Sequence, residues 1–132
     1  MDKKFQISQI KDESSICIVS PGYKAATLNN YKETFNSLER LNYTNFKFVI
    51  VDDNSPDQSV ETFYKYFNES SMRLKNRVTI VRNIVKVGMA GNLYVRIKQF
   101  CSGFDIVVNM DLDDALFGYQ TLKVVNAIYQ NP

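Results

Sequence analysis

Apolar runs and stretches of helical periodicity alternate along the chain. Ile16-Cys17-Ile18-Val19 is a β-branched run closed by Ser20-Pro21-Gly22, which predicts a buried strand and a loop. Beyond it Tyr31, Phe35, Leu38 and Leu41 share one face of a helix, with Thr27 a candidate N-cap. Residues 46–51, Phe-Lys-Phe-Val-Ile-Val, predict the second strand, which runs into Asp52-Asp53-Asn54-Ser55-Pro56. Ser55, Pro56 and Gln58 read as cap, first-turn proline and capping-box glutamine of a second helix. Val60, Phe63, Tyr64 and Phe67 mark its buried face, and the polar residues 69–77 read as a loop or frayed end. Val78-Thr79-Ile80-Val81 is a third strand, followed by a loop at 82–88. A helix over 89–101 faces inward through Leu93, Ile97 and Phe100, and Gly103 stands where a terminating glycine is expected. Residues 106–110 predict the fourth strand. A last helix begins at 116 or 118 and ends at 130, with Leu122, Val125 and Tyr129 inward. Residues 1–14 are polar and read as a lead-in to a single domain over 15–132.

Continuous apolar strands alternating with amphipathic helices predict an α/β fold: a Rossmann-like, mostly parallel sheet with helices on both faces. Right-handed crossovers place every strand's carboxyl end on one edge, where such sheets bind ligands. The residues following the strands are therefore candidates: Ser20-Pro21-Gly22-Tyr23-Lys24, Asp52-Asp53-Asn54-Ser55, the 82–88 loop and Asp111-Leu112-Asp113-Asp114.

Composition narrows the chemistry. The chain has 132 residues, 45% hydrophobic, enough for one core. A net charge of +2 with scattered basic residues gives no field or motif for nucleic acid. No apolar run approaches the roughly 18 residues of a membrane span, and the first residues do not read as a signal peptide. Cys17 and Cys101 sit in apolar settings without metal-type spacing and read as core thiols in a reducing, cytoplasm-like compartment. There is no histidine, so catalysis by histidine is excluded and any metal must be held by oxygen.

The fourth strand ends in Asp111, Asp113 and Asp114, three carboxylates within four residues. Packed like charges raise one another's pKa unless a cation sits among them, and a divalent metal with oxygen ligands is the simplest cation. A solvated acidic turn that merely ends a strand is the other reading of this segment.

At these positions the chain resembles the nucleotide-sugar-binding half of a family 2 glycosyltransferase of the GT-A fold. The resemblance rests on Pro21-Gly22-Tyr23, on Val51-Asp52-Asp53-Asn54-Ser55 and on Asp111-Leu112-Asp113-Asp114, each at a strand end and in the family's order. It implies a nucleotide site of Pro21, Tyr23, Asp52, Asp53 and Asp111. Tyr23 would lie against the base, and Asp53 would accept a hydrogen bond from the base imino group, which favours a UDP-linked sugar. It further implies Mn²⁺ or Mg²⁺ at Asp111, Asp113 and Asp114, bridging the donor diphosphate. Lys24 and Lys86 would add positive charge near the phosphates. Each residue also has a plainer reading: Tyr23 as packing, Asp52 as a holder of loop N–H groups, Ser55 as a helix cap, and both lysines as solvated.

The chain departs from the family's pattern at Lys86, where asparagine is usual, at Gly91, where arginine is usual, and at Lys24, where asparagine is usual. No acidic residue follows Asp114, so the carboxylate base of inverting transfer has no candidate, and the chain reads as a donor half with an unknown acceptor. The family's strand order, 3-2-1-4, would leave the fourth strand as an apolar edge that favours self-association. Three other functions compete. A phosphoacceptor receiver would place its acidic pair after the first strand, not the second. A nucleotidyltransferase would carry a glycine-rich basic loop after the first strand. A non-catalytic nucleotide-sugar-binding module fits the absent base.

Overall fold

The computed structural model describes residues 12–28, 31–112 and 121–130. Its strands are β1 (Ile16–Gly22), β2 (Phe46–Asp52), β3 (Val78–Arg82) and β4 (Ile106–Asn109). The helices are α1 (Ala25–Leu28), α2 (Tyr31–Glu39), α3 (Ser59–Asn68), α4 (Met72–Lys75), α5 (Gly88–Phe100) and α6 (Thr121–Gln130). The four strands are parallel in the order β3-β2-β1-β4, as the resemblance implies.

Alternation along β1 and β2 divides the core in two. Ile16, Ile18, Phe46, Phe48 and Ile50 face one side, where α2, α3, α4 and α6 pack. Phe35 of α2 is the hub of that side, with ring centroids 4.6 Å from Phe67, 5.4 Å from Phe63 and 6.1 Å from Phe48. Cys17, Val19, Val49 and Val51 face the other side, covered by Leu93, Ile97 and Phe100 of α5. Cys17 and Cys101 form a disulfide there, with Cα atoms 5.6 Å apart. This corrects the expectation of two free thiols and removes the argument for a reducing compartment. An apolar setting suits half-cystine as well as thiol, so neither burial nor spacing distinguishes them. The bridge closes a loop across 84 residues of sequence, and such bridges stabilise by about 2–4 kcal/mol.

β1 runs further than the apolar pattern suggests, through Pro21. Proline fits because β1 pairs with β4 only from Ile16 to Val19. Val19 accepts from the Met110 N–H, so residues 19 and 21 point toward β4, and the N–H that Pro21 lacks would have faced the side where pairing has ended.

Several local expectations are corrected. Thr27 lies inside α1 rather than capping a helix, and donates to Asp57 at 2.5 Å. α3 starts at Ser59, not after Ser55, because Asp57 accepts from the Ser59 N–H and hydroxyl. Residues 72–75 form a helical turn capped by the Ser71 hydroxyl, which accepts from the Leu74 N–H. Tyr64 is 52% exposed, beside a groove of about 350 Å³ that includes Phe67, Lys75, Val78 and Ile80. Tyr129 is also exposed, because α6 turns Leu122, Asn126 and Ala127 inward. Asn126 sets that rotation: it accepts from the Ser14 N–H and donates to the Asp12 carbonyl. Residues 12–14 are thus tied down rather than loose, and Glu13 accepts from Thr44 and Asn45. Among the described residues no helix is long and apolar enough to cross a membrane.

Candidate functional site at the carboxyl edge of the sheet

Parallel register brings the ends of β1 and β2 level, with Gly22 opposite Asp52. The chain then turns sharply at both, and Lys24 (φ 55°) and Asn54 (φ 57°) take left-handed backbone conformations. Asn tolerates this conformation and lysine does so at some cost, so Lys24 must be held. It is held by Ser55, whose hydroxyl oxygen accepts from the Lys24 N–H at 2.8 Å. The Ser55 hydroxyl in turn donates to Asp52 Oδ1 at 2.5 Å, and the Ser55 N–H donates to Asp52 Oδ2 at 2.9 Å. Ser55 therefore joins two loops instead of capping a helix. Asp52 is 1% exposed, and Arg82 Nε lies 3.8 Å from its Oδ2. Its partners match the plainer reading, a carboxylate that organises its own loop.

Asp53 is buried as well and reaches the other way. Oδ1 accepts from the Asn83 amide at 3.0 Å and the Val87 N–H at 2.8 Å, and Oδ2 accepts from the Gly88 N–H at 2.9 Å. Gly88, at φ 80°, supplies the left-handed step that starts α5. Asn83 is fixed from behind by Arg96, which donates to its Oδ1 at 2.6 Å. One carboxylate thereby pins both ends of the 83–88 loop. That loop carries Lys86 to Tyr23, with Nζ 3.8 Å from the ring centroid, while Lys24 Nζ lies 5.5 Å from it. The sequence-predicted Pro21, Tyr23, Lys24, Asp52, Asp53 and Lys86 are thus gathered across the ends of β1, β2 and β3.

The end of β4 joins the group through Leu112. A Cβ on Gly22 would lie 2.9 Å from Leu112 Cδ2, so glycine leaves room for the Leu112 side chain against the end of β1. Thr34 of α2 donates to the Leu112 carbonyl at 2.8 Å, and the Leu112 side chain is buried in the core. Asp111 beside it is half-buried, and its carboxylate has no hydrogen-bond or ion-pair partner among the described residues. Asp113 and Asp114 lie outside the described residues.

Near the site, Asp57 joins the turn after β2 to α1. Burial pushes its carboxyl up, but hydrogen bonds from Ser59 and Thr27 outweigh this and hold it below the usual aspartate range. Sequence reasoning missed Thr34, Asn83, Arg96 and the packing role of Leu112. Asn83 and Arg96 lie in a loop and on a helix with no motif of their own. Leu112 had a signal, since an apolar residue between acids at a strand end must go somewhere dry.

For a divalent cation the chemistry of the donor set is suitable. With no histidine in the chain, oxygen atoms would be the ligands, and Asp111 presents a carboxylate without a partner among the described residues at the carboxyl edge of the sheet. Among the described residues no three acidic or cysteine side chains cluster to complete a site.

Residues 17–132 match the sequence model of glycosyl transferase family 2. Among solved structures, the mannosyltransferase PcManGT from Pyrobaculum calidifontis, in complex with GDP-Man and Mn²⁺, superposes with a TM-score of 0.73 at 22% identity. That match covers 89% of this chain and 32% of that one. S. aureus TarS 1-349 in complex with UDP-GlcNAc superposes with a TM-score of 0.72 at 26% identity, covering 88% of this chain and 31% of that one. The same enzyme fragment in complex with UDP gives 0.71, again at 26%. The chain spans about a third of the length of these structures. No curated protein matches it.

Proposed function

Because the chain belongs to glycosyl transferase family 2, we propose that its carboxyl-edge site binds a nucleoside-diphosphate sugar, with a UDP-linked donor favoured, for transfer to an acceptor hydroxyl. The observation that carries this reading is the convergence of four strand ends on a tyrosine ring, two lysines and one carboxylate that has no protein partner among the described residues. Tyr23 serves as the face for the base, which suits a flat heterocycle. Asp111 serves the ribose and a Mn²⁺ or Mg²⁺ ion shared with Asp113 and Asp114. The ion would supply charge neutralisation on the diphosphate leaving group. Lys24 and Lys86 lie on the same side as the phosphates in this arrangement.

Asp53 takes a changed role. Asn83, Val87 and Gly88 all donate to it, so its main work is to fix the loop after β3. The preference for uracil therefore rests on the relatives bound to UDP and UDP-GlcNAc more than on Asp53. The acceptor-side base is assigned to no residue of this chain. Self-association is part of the proposal: among the described residues β4 pairs only with β1, and Val107 is 39% exposed. A strictly monomeric sedimentation profile at high concentration would count against it.

Calorimetric titration of UDP with and without Mn²⁺, into this protein and into Asp113→Ala, tests the donor site. Metal-dependent binding that the substitution removes is the expected result. Folded protein that binds UDP under no condition would sink the reading. Release of UDP from a UDP-sugar by the same protein would separate turnover from binding alone.

A further inference from the structure

The tyrosine offered to a base is already covered. Lys86 Nζ stands 3.8 Å from the Tyr23 centroid, a distance at which an ammonium is held by the negative face of a phenol ring. The position is not left to a flexible side chain alone. Asp53 clamps the backbone on the far side of Lys86, at Val87 and Gly88, and Asn83 on the near side. Ser55 clamps Lys24 next to the ring. Both partners of the contact are thus mounted on anchored backbone, and only the lysine stem is free to swing. Lys24 Nζ, at 5.5 Å, adds a second cation near the same ring.

A base stacking on the Tyr23 face that Lys86 covers would compete with the ammonium for that surface. The ammonium leaves at little cost only if it gains an anion elsewhere. A nucleoside offers none. A nucleoside diphosphate offers one, at the edge of the same site. Resting on the nucleotide reading above, we infer that Lys86 is a specificity-determining residue that exchanges the Tyr23 ring for the donor diphosphate, and so selects phosphate-bearing nucleotides over free nucleosides.

The two halves of the exchange predict opposite signs. Removing the ammonium while keeping the stem, Lys86→Met, uncovers the ring and withdraws a phosphate partner. Uridine should bind about two- to fivefold tighter, the size of an exposed cation–ring contact. UDP, titrated with Mg²⁺ present throughout, should bind about tenfold weaker, the size of one charge-assisted hydrogen bond. Lys86→Arg should restore UDP affinity, since a guanidinium both covers a ring and pairs with phosphate. Uridine and UDP weakening together, or neither changing, overturns the exchange.

A second measurement needs no ligand. In wild-type protein the Lys86 ε-methylene protons should be shifted upfield by the ring, and Tyr23→Leu should abolish that shift. Added UDP should abolish it as well. An unshifted ε-methylene in ligand-free protein overturns the covered ring while leaving the nucleotide reading intact. A shifted one, with no UDP binding to wild type or Lys86→Met, overturns the nucleotide reading and the exchange with it.

Discussion

Two strands of this sheet end in acidic residues, and they use them differently. The pair after β2, Asp52 and Asp53, is buried and occupied by Ser55, Asn83, Val87 and Gly88. Asp111, after β4, is half-buried and has no partner among the described residues. The difference follows from what surrounds each end. β2 is flanked by strands on both sides, so its loop is hemmed in by the loops of β1 and β3: Asp53 accepts from the Val87 and Gly88 N–H groups, while Asp52 holds Ser55, whose hydroxyl accepts from the Lys24 N–H. β4 is an edge strand, and its end is fixed through the Leu112 side chain and carbonyl instead. Leucine takes the structural duty at β4, and the neighbouring carboxylate is left without a partner among the described residues. Adjacent acids in a sequence are therefore poor evidence of a shared role.

The sharpest way to break this contrast is to remove one carboxylate from each end. Asp111→Ala should weaken Mn²⁺-dependent UDP binding about a hundredfold or more, beyond the usual cost of losing a residue that merely orients a metal ligand. Its melting temperature should stay within about 2 °C of wild type, since no described protein group loses a partner. A variant that binds UDP normally, or that unfolds, would erase the proposed division. Asp53→Ala should do the reverse. Stability in urea should fall by about 2 kcal/mol, because the Asn83 amide and two backbone N–H groups lose their acceptor. Amide exchange at Val87 and Gly88 should accelerate before that of β2. Unchanged exchange there would show that the loop is held by something else.

A smaller effect separates loop joining from capping. Ser55→Ala should cost about 1 kcal/mol, the worth of a buried hydrogen bond. The amide that loses protection should be Lys24, across the site, and not those at the start of α3. Loss of protection at Ser59 instead would return Ser55 to the capping role suggested by its sequence context.

The four strands and their parallel sense were legible because apolar runs and helical stripes have distinct periods, while their order came from the family resemblance. The gathering of motifs on one edge followed from topology alone. What escaped was partner choice. Ser55-Pro56 with Gln58 satisfies a capping pattern, yet Asp57 wins the Ser59 N–H because it stands two residues before it, in Asx-turn geometry. Tyr129 fits an apolar stripe, but Asn126 is worth more inside α6 once residues 12–14 offer it a donor and an acceptor. The disulfide was hidden for a similar reason: it joins Cys17 in β1 to Cys101 at the end of α5, and no local spacing announces a pair that only the fold brings together. The last two misses are contacts between distant segments, which periodicity does not encode.

Glu13 provides the smallest test and the cleanest sign. It lies before β1, at the opposite edge of the sheet from the site, and accepts from the Thr44 hydroxyl and the Thr44 and Asn45 N–H groups. Burial raises its pKa, but those hydrogen bonds and the nearby Lys123 outweigh burial and hold it below the ordinary 4.5. A carboxyl whose folded pKa is depressed stabilises the protein when ionised. That contribution is complete above the unfolded value and is lost as pH falls through the folded one. Stability measured by urea midpoint should therefore decline on acidification below about pH 4.5, and Glu13→Gln should decline less steeply over the same window. Asp57 is depressed too, but its contribution is common to both proteins and cancels in the difference. Parallel curves for the two proteins would mean that Glu13 is not the group that titrates. Convergence of the curves toward low pH would extend the contrast to a third acidic position, one whose charge is used entirely to hold strands and touches no ligand.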